Sequence, residues 1–151
     1  MIIETIDLFL KQSKKNELST KGYLSSYKDC KVKVSFGKGR ISNVPWVAFL
    51  KGNNEIRSGI YPVILYYKKI ETIVIAFGIG TYFEAIKEWE IEKKYKSKTI
   101  KNQLSKNYDG IIPYGKCYIY SFYEVNDKLD LKMINDDIDS VIEIYKGNNA
   151  K

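Results

Sequence analysis

Apolar and polar positions follow two different periods along this chain, and the change from one to the other marks its elements. Ile2, Ile3, Ile6, Phe9 and Leu10 recur at helical spacing, which predicts an amphipathic helix over 2–12 ending near Ser13-Lys14-Lys15-Asn16. From Lys31 the period becomes that of a pleated strand. Lys31, Lys33 and Ser35 alternate with Val32, Val34 and Phe36, so a strand over 31–36 has one basic face and one core face. Three further runs rich in β-branched and aromatic residues follow at 44–50, 60–67 and 72–79. Gly37-Lys38-Gly39, Gly52-Asn53-Asn54, Ser58-Gly59 and Lys68 to Glu71 separate these runs, as turn residues should. The four runs predict an antiparallel meander.

The flanking segments complete the outline. Residues 16–30 are a polar connection whose Tyr23 and Tyr27 are predicted to anchor it to the sheet. Pro45 and Pro62 fall within apolar runs. Proline donates no ladder hydrogen bond, so an edge, a bulge or a bend is expected at each, serving either ligand approach or edge protection. Residues 81–95 fit helix and strand equally well. Residues 97–108 read as a short helix capped by Ser97, with Ile100 and Leu104 inward and Asp109-Gly110 ending it. A fifth strand is expected over 116–124. Leu131, Ile134, Ile138, Val141, Ile142 and Tyr145 form the clearest helical stripe, with Lys146-Gly147 as its stop. The predicted class is α+β: a bent, mostly antiparallel sheet of about five strands with N- and C-terminal helices packed on it, in one domain over 1–151.

Composition narrows the chemistry. The chain has 151 residues, 44% hydrophobic and 28% charged, a globular balance able to bury a core. No apolar run approaches the ~20 residues of a membrane helix, and Glu4 and Asp7 interrupt any signal-peptide core, so a cytoplasmic protein is expected. Histidine is absent, which removes Ser-His-Asp and Cys-His catalysis and most zinc sites. Cys30 and Cys117 read as free buried thiols. The net charge of +7 is uneven: residues 11–40 carry nine Lys/Arg against Glu17 and Asp29, and residues 124–143 carry seven Asp/Glu against Lys128 and Lys132. Such polarity fits a face that attracts a polyanion, and it also fits a lysine-rich solvated surface.

The remaining candidates differ in specificity. Gly37-Lys38-Gly39 is a weak phosphate signal with no Walker-type sequence behind it, and an ordinary hairpin turn accounts for it equally. Glu88, Glu90 and Glu92 with Lys94 resemble a nuclease's Glu-x-Lys fragment, yet a solvated charged face is the expectation, so no metal and no cofactor is assigned. Asp136, Asp137 and Asp139 are expected on the helix surface. The aromatic load of thirteen Tyr and two Trp is more telling. Trp46, Tyr61 and Tyr114 each neighbour a proline, and an aromatic at bent backbone can wall a pocket for a planar group. Beside a basic face that group suggests a nucleobase; core packing of these rings is the alternative.

Three blocks carry a resemblance: KVKVSFGKGRISNVPWVAFL, GIYPVILYYK and IVIAFGI. With the upstream STKGYLSSYKD, the Trp89 region, Lys98-Thr99-Ile100 and Tyr114-Gly115, in the same order, they are similar to the N-terminal DNA-recognition domains of McrB, the specificity subunit of GTP-dependent McrBC restriction systems. The resemblance implies a non-enzymatic module that binds double-stranded DNA containing a modified cytosine and flips that base into an aromatic pocket. Carried over by position, it assigns Trp46, Tyr61 and Tyr114 to the pocket walls and Leu65 to its vicinity. It assigns Gly37, Lys38 and Gly39 to the loop that enters the duplex. An aromatic can stand at the Lys38 position in this family; a lysine offers only its stem and its charge, which favours the alternative of a sequence-tolerant DNA or RNA binder. Lys31, Lys33 and Arg40, with Lys38, are the expected backbone contacts. The family's AAA+ GTPase, through which a McrC-like nuclease is recruited, is expected to lie outside these residues.

Overall fold

The computed structural model describes residues 1–52, 59–80, 94–95 and 97–149. Among them, six strands form one sheet in chain order: β1 (Ser26–Tyr27), β2 (Cys30–Ser35), β3 (Trp46–Leu50), β4 (Ile60–Tyr67), β5 (Thr72–Ile79) and β6 (Tyr118–Glu124). Every neighbouring pair is antiparallel. The helices are α1 (Ile3–Ser13), α2 (Ile100–Leu104) and α3 (Leu131–Asn149). The α+β class and the meander stand, and the sheet has one strand more than expected. That strand arises because Lys28 and Asp29, at φ of 48° and 66°, make a two-residue turn between Tyr27 and Cys30, the primed geometry that matches strand twist.

The register decides what each sheet face carries. Ile73 and Ile75 lie opposite Tyr123 and Ser121, whose hydroxyls both donate to Asp137 of α3. That face therefore belongs to the helices. α3 packs on β4, β5 and β6 and against α1, and the Ile2 N–H donates to Asn135 Oδ1 at 2.8 Å to tie the two helices together. On the opposite face, Lys33, Ala48, Val63 and Ala76 are successive cross-strand partners, as are Ser35, Trp46, Leu65 and Val74. Directly opposed residues share a face, so the basic stripe of β2 lies on the same side as Trp46, Leu65, Val63 and Tyr61.

Pro62 faces a gap. Tyr66 donates its N–H to the Pro45 carbonyl across toward β3, and the two-residue period turns Ile64 and Pro62 the same way. The β3–β4 ladder ends at Ala48 opposite Val63, one pair before Pro62 would owe a donor. Pro45 precedes β3 rather than lying in it.

Four local expectations are corrected. The short helix is capped by Thr99, whose Oγ1 accepts from the Asn102 N–H at 3.2 Å, and not by Ser97. The fifth run begins as a strand at Tyr118, two residues late. The last helix runs through Gly147 to Asn149, since a helical glycine costs only about 1 kcal/mol and stops a helix mainly where φ turns positive. Asp137 and Asp139 are not idle surface acids. Asp137 holds β6, and Asp139 accepts from Tyr27 at 2.6 Å, while Asp136 does pair with Lys132 on the exposed face. Tyr27 thus anchors its segment to α3 and, with its ring 6.2 Å from Phe49, to the sheet; Tyr23 reaches Gln12 of α1.

Candidate nucleic-acid interface

The alternation of β4 points Tyr61, Val63 and Leu65 to one side. β3 brings Trp46 opposite Leu65, and β5 brings Gly78 opposite Tyr61. Tyr114 and Cys117 arrive from the segment before β6. These seven residues line a single cavity of about 100 Å³. Trp46, Tyr61, Leu65 and Tyr114, distant in sequence, therefore meet in one place. Val63, Gly78 and Cys117 were not anticipated. Val63 could have been found by stepping two residues along the strand from Tyr61, whereas Gly78 and Cys117 needed the cross-strand register.

Each wall is held by an identifiable contact. Tyr61 is 8% exposed, and its ring lies on the backbone of Gly78, where a Cβ would come within 2.5 Å of Cε2. Tyr114 is 44% exposed and has φ of +58°, a strained conformation for an aromatic residue. Its loop is pinned from several sides: Tyr67 donates to the Pro113 carbonyl at 2.6 Å, Lys101 N–H to Gly115 at 2.9 Å and Cys117 N–H to Tyr114 at 3.1 Å. The Trp46 indole, a donor only, lines the same cavity as Tyr114 and offsets part of the upward push that burial gives the Tyr114 phenol. Burial pushes the Tyr61 and Tyr114 phenols up, so both stay protonated at neutral pH. Burial likewise pushes the Cys117 thiol up to about 11. It is a neutral, apolar wall and not a nucleophile.

The loop from β2 to β3 stands beside this cavity. Ser42 N–H closes it onto the Phe36 carbonyl at 2.8 Å. Gly37 has φ of +123°, and a Cβ there would sit 2.0 Å from the Arg40 carbonyl oxygen, so only glycine fits this fold of the chain. The structure is a longer closed loop, not a tight hairpin turn. Lys38, Gly39 and Arg40 are exposed at its end. A hollow of about 390 Å³ joins Lys38 and Arg40 to Trp46 and Tyr114. Another of about 470 Å³ joins Lys33 and Lys38 to Trp46, Tyr23 and Leu24. Lys31 is exposed on the same sheet face but farther off, opposite Leu50. A further cavity of about 850 Å³ shares Tyr61, Tyr114 and Cys117 and adds Ile111, Lys101 and Lys116.

Among the described residues no three His, Cys, Asp or Glu side chains come together as a metal site. Glu88, Glu90 and Glu92 lie outside the described residues, as does Trp89. No described helix is long and apolar enough to cross a membrane. Both cysteines are free and buried.

Comparison with known proteins supplies the remaining finding. The family model described as MrcB-like, N-terminal domain matches residues 4–149. The type IV methyl-directed restriction enzyme EcoKMcrB subunit of Escherichia coli (strain K12) is 36% identical over 144 residues, covering 93% of this chain and 31% of that protein. The chain thus spans about a third of the length of that relative.

Proposed function

This chain belongs to the family of MrcB-like N-terminal domains, and from that membership we propose that it is the DNA-binding module of a modification-dependent restriction system, reading a modified cytosine that is flipped out of the duplex. The observation that carries this reading is the convergence of Trp46, Tyr61, Leu65 and Tyr114 on one cavity. That cavity sits beside an exposed Gly-Lys-Gly loop and on the same sheet face as Lys33. Flipping costs a few kcal/mol of pairing and stacking, and stacking on aromatic walls returns ~1–3 kcal/mol per base. Two or three rings are therefore enough in magnitude. A methyl group held against them adds about 0.8 kcal/mol, roughly a fourfold preference.

The cavity is smaller than the ~150 Å³ that admits benzene in an engineered protein core. A pyrimidine enters when Tyr114, the half-exposed wall, swings outward. Lys38 and Arg40 contact the backbone on either side of the flipped nucleotide, and Lys33 and Lys31 extend that contact along the sheet. We assign recognition to these residues, and GTP hydrolysis and strand cleavage to other parts of such a system, including a McrC-like nuclease subunit. The test is binding to one duplex in unmodified, hemimethylated and fully methylated forms. Tighter binding to the methylated forms is expected, and equal affinity for all three would leave only a sequence-tolerant binder.

A further inference from the structure

Ile111 is 96% exposed, while its neighbour Ile112 is 5% exposed and part of the core. A lone aliphatic side chain in water is ordinary on a protein surface, so its exposure alone marks nothing. Ile111, however, is not on a loose tail. Gly110, at φ of +84°, turns the chain just before it. Beyond it, Pro113 receives the Tyr67 hydroxyl at 2.6 Å, and Gly115 receives the Lys101 N–H at 2.9 Å. Tyr108 is buried on the other side of the turn and packs edge-on against Tyr67. The segment is anchored at both ends and presents one apolar side chain at its apex.

The position of that apex matters more than its exposure. Ile111 lines the large cavity together with Tyr61, Tyr114 and Cys117, three residues that also wall the small cavity. Tyr114 borders both the hollow at the Gly37–Arg40 loop and the cavity at Ile111. The cavity that Ile111 lines is basic, with Lys101 and Lys116 exposed beside it and Asp109 two residues before it in the chain. An apolar tip in a cationic setting suits a duplex, whose phosphates attract the lysines and whose base steps accept an aliphatic wedge.

We propose that Ile111 is the wedge that enters the base stack next to the flipped cytosine, with Lys38 on the Gly37–Arg40 loop holding the backbone. The proposal rests on the base-flipping reading above and supplies what that reading lacks at Lys38, an apolar group to occupy the opened step. Inserting Ile111 removes its side chain from water and keeps the extruded base from returning.

The experiment uses a duplex with one 5-methylcytosine and 2-aminopurine as its 3′ neighbour, whose fluorescence rises when stacking is lost. Affinity and fluorescence are measured for the wild type, Ile111→Ala, Ile111→Phe and Tyr61→Ala. Ile111→Ala is expected to weaken binding to the methylated duplex by about tenfold and to reduce the fluorescence change. Weak binding to unmodified DNA and the melting temperature should not move. Ile111→Phe is expected to retain or tighten methylated binding, because a ring also fills the step. If the wild type and its Tyr61→Ala variant differ in preference but Ile111→Ala behaves as wild type, the wedge assignment is overturned while the pocket stands; Ile111 then serves a contact other than DNA. If the wild type itself shows neither preference nor fluorescence change, the pocket reading falls, and the wedge falls with it.

Discussion

The ring of Tyr61 rests directly on the backbone of Gly78 in the adjacent strand, leaving no room for a side chain there: a Cβ at Gly78 would lie 2.5 Å from Cε2 and 2.8 Å from Cζ. The glycine is thus a seat for a pocket wall. Gly78→Ala must push the buried ring aside, at a cost of about 1–3 kcal/mol for overpacking. The expected outcome is a folded protein with a lower melting temperature and little preference for methylated over plain duplex. A variant that keeps both at wild-type level would show that the ring has another resting place.

The basic face lends itself to a salt titration. Lys33 and Arg40 are exposed beside the pocket and carry no sequence information in this reading. Lys33→Ala and Arg40→Ala are each expected to weaken methylated and unmethylated duplexes alike. Each should also make the slope of log K against log salt shallower by about 0.9 unit per lost phosphate contact. A loss confined to methylated DNA would move these side chains from the backbone to the base.

The buried thiol predicts a pH dependence of known sign. In the fold the Cys117 pKa is raised to about 11 by burial, while an unfolded thiol titrates near ~8.5. Below that value both states hold the proton, and Cys117 gives no slope. Between the two values the unfolded chain loses the proton and the folded one keeps it, so stability falls as pH rises, by at most about 1.4 kcal/mol per pH unit for this group. Cys30 is raised in the same direction. Urea unfolding at pH 7.5, 9 and 10 should therefore show a decline that begins above pH ~8.5 and is shallower in Cys117→Ala. The native thiols should also react slowly with alkylating reagents at pH 8.

How much of this was legible in the sequence follows from the range of each interaction. The alternation of Lys31 to Phe36 and the stripe from Leu131 to Tyr145 are local patterns, and both elements appear where those patterns lie. The extra strand escaped notice because its turn is made by Lys28 and Asp29 in left-handed conformations, with no glycine to announce it. The cap moved from Ser97 to Thr99 because both residue types can cap, and tertiary context selects between them. The roles of Asp137 and Asp139 depend on which strand lies under the helix. The same holds for the pocket. Resemblance named Trp46, Tyr61, Leu65 and Tyr114, but Gly78 and Cys117 join them only through the pairing of β4 with β5 and the approach of the segment before β6. Ile111 has no periodicity at all; only its exposure in the folded chain separates it from Ile112.

Tyr114 offers a way to separate what the backbone costs from what the ring does. Its φ of +58° places a non-glycine residue in the left-handed region, at a cost of about 1–2 kcal/mol. Such strain persists only where surrounding contacts impose it, here the hydrogen bonds to Pro113, Tyr114 and Gly115. Replacing Tyr114 by Ala removes the ring but keeps the strain, because alanine has a Cβ. Replacing it by Gly removes both. The two variants lose almost the same half-exposed side chain, so their difference isolates the backbone term. Tyr114→Gly is expected to be more stable than Tyr114→Ala by about 1 kcal/mol, read from urea midpoints with unchanged m-values. Both are expected to lose the preference for methylated duplex and to keep the salt-dependent binding of the basic face. Recovery of stability without recovery of preference would mark the strained ring as held for recognition. If Tyr114→Gly kept the preference, the wall would have to be supplied by Trp46 and Tyr61 alone.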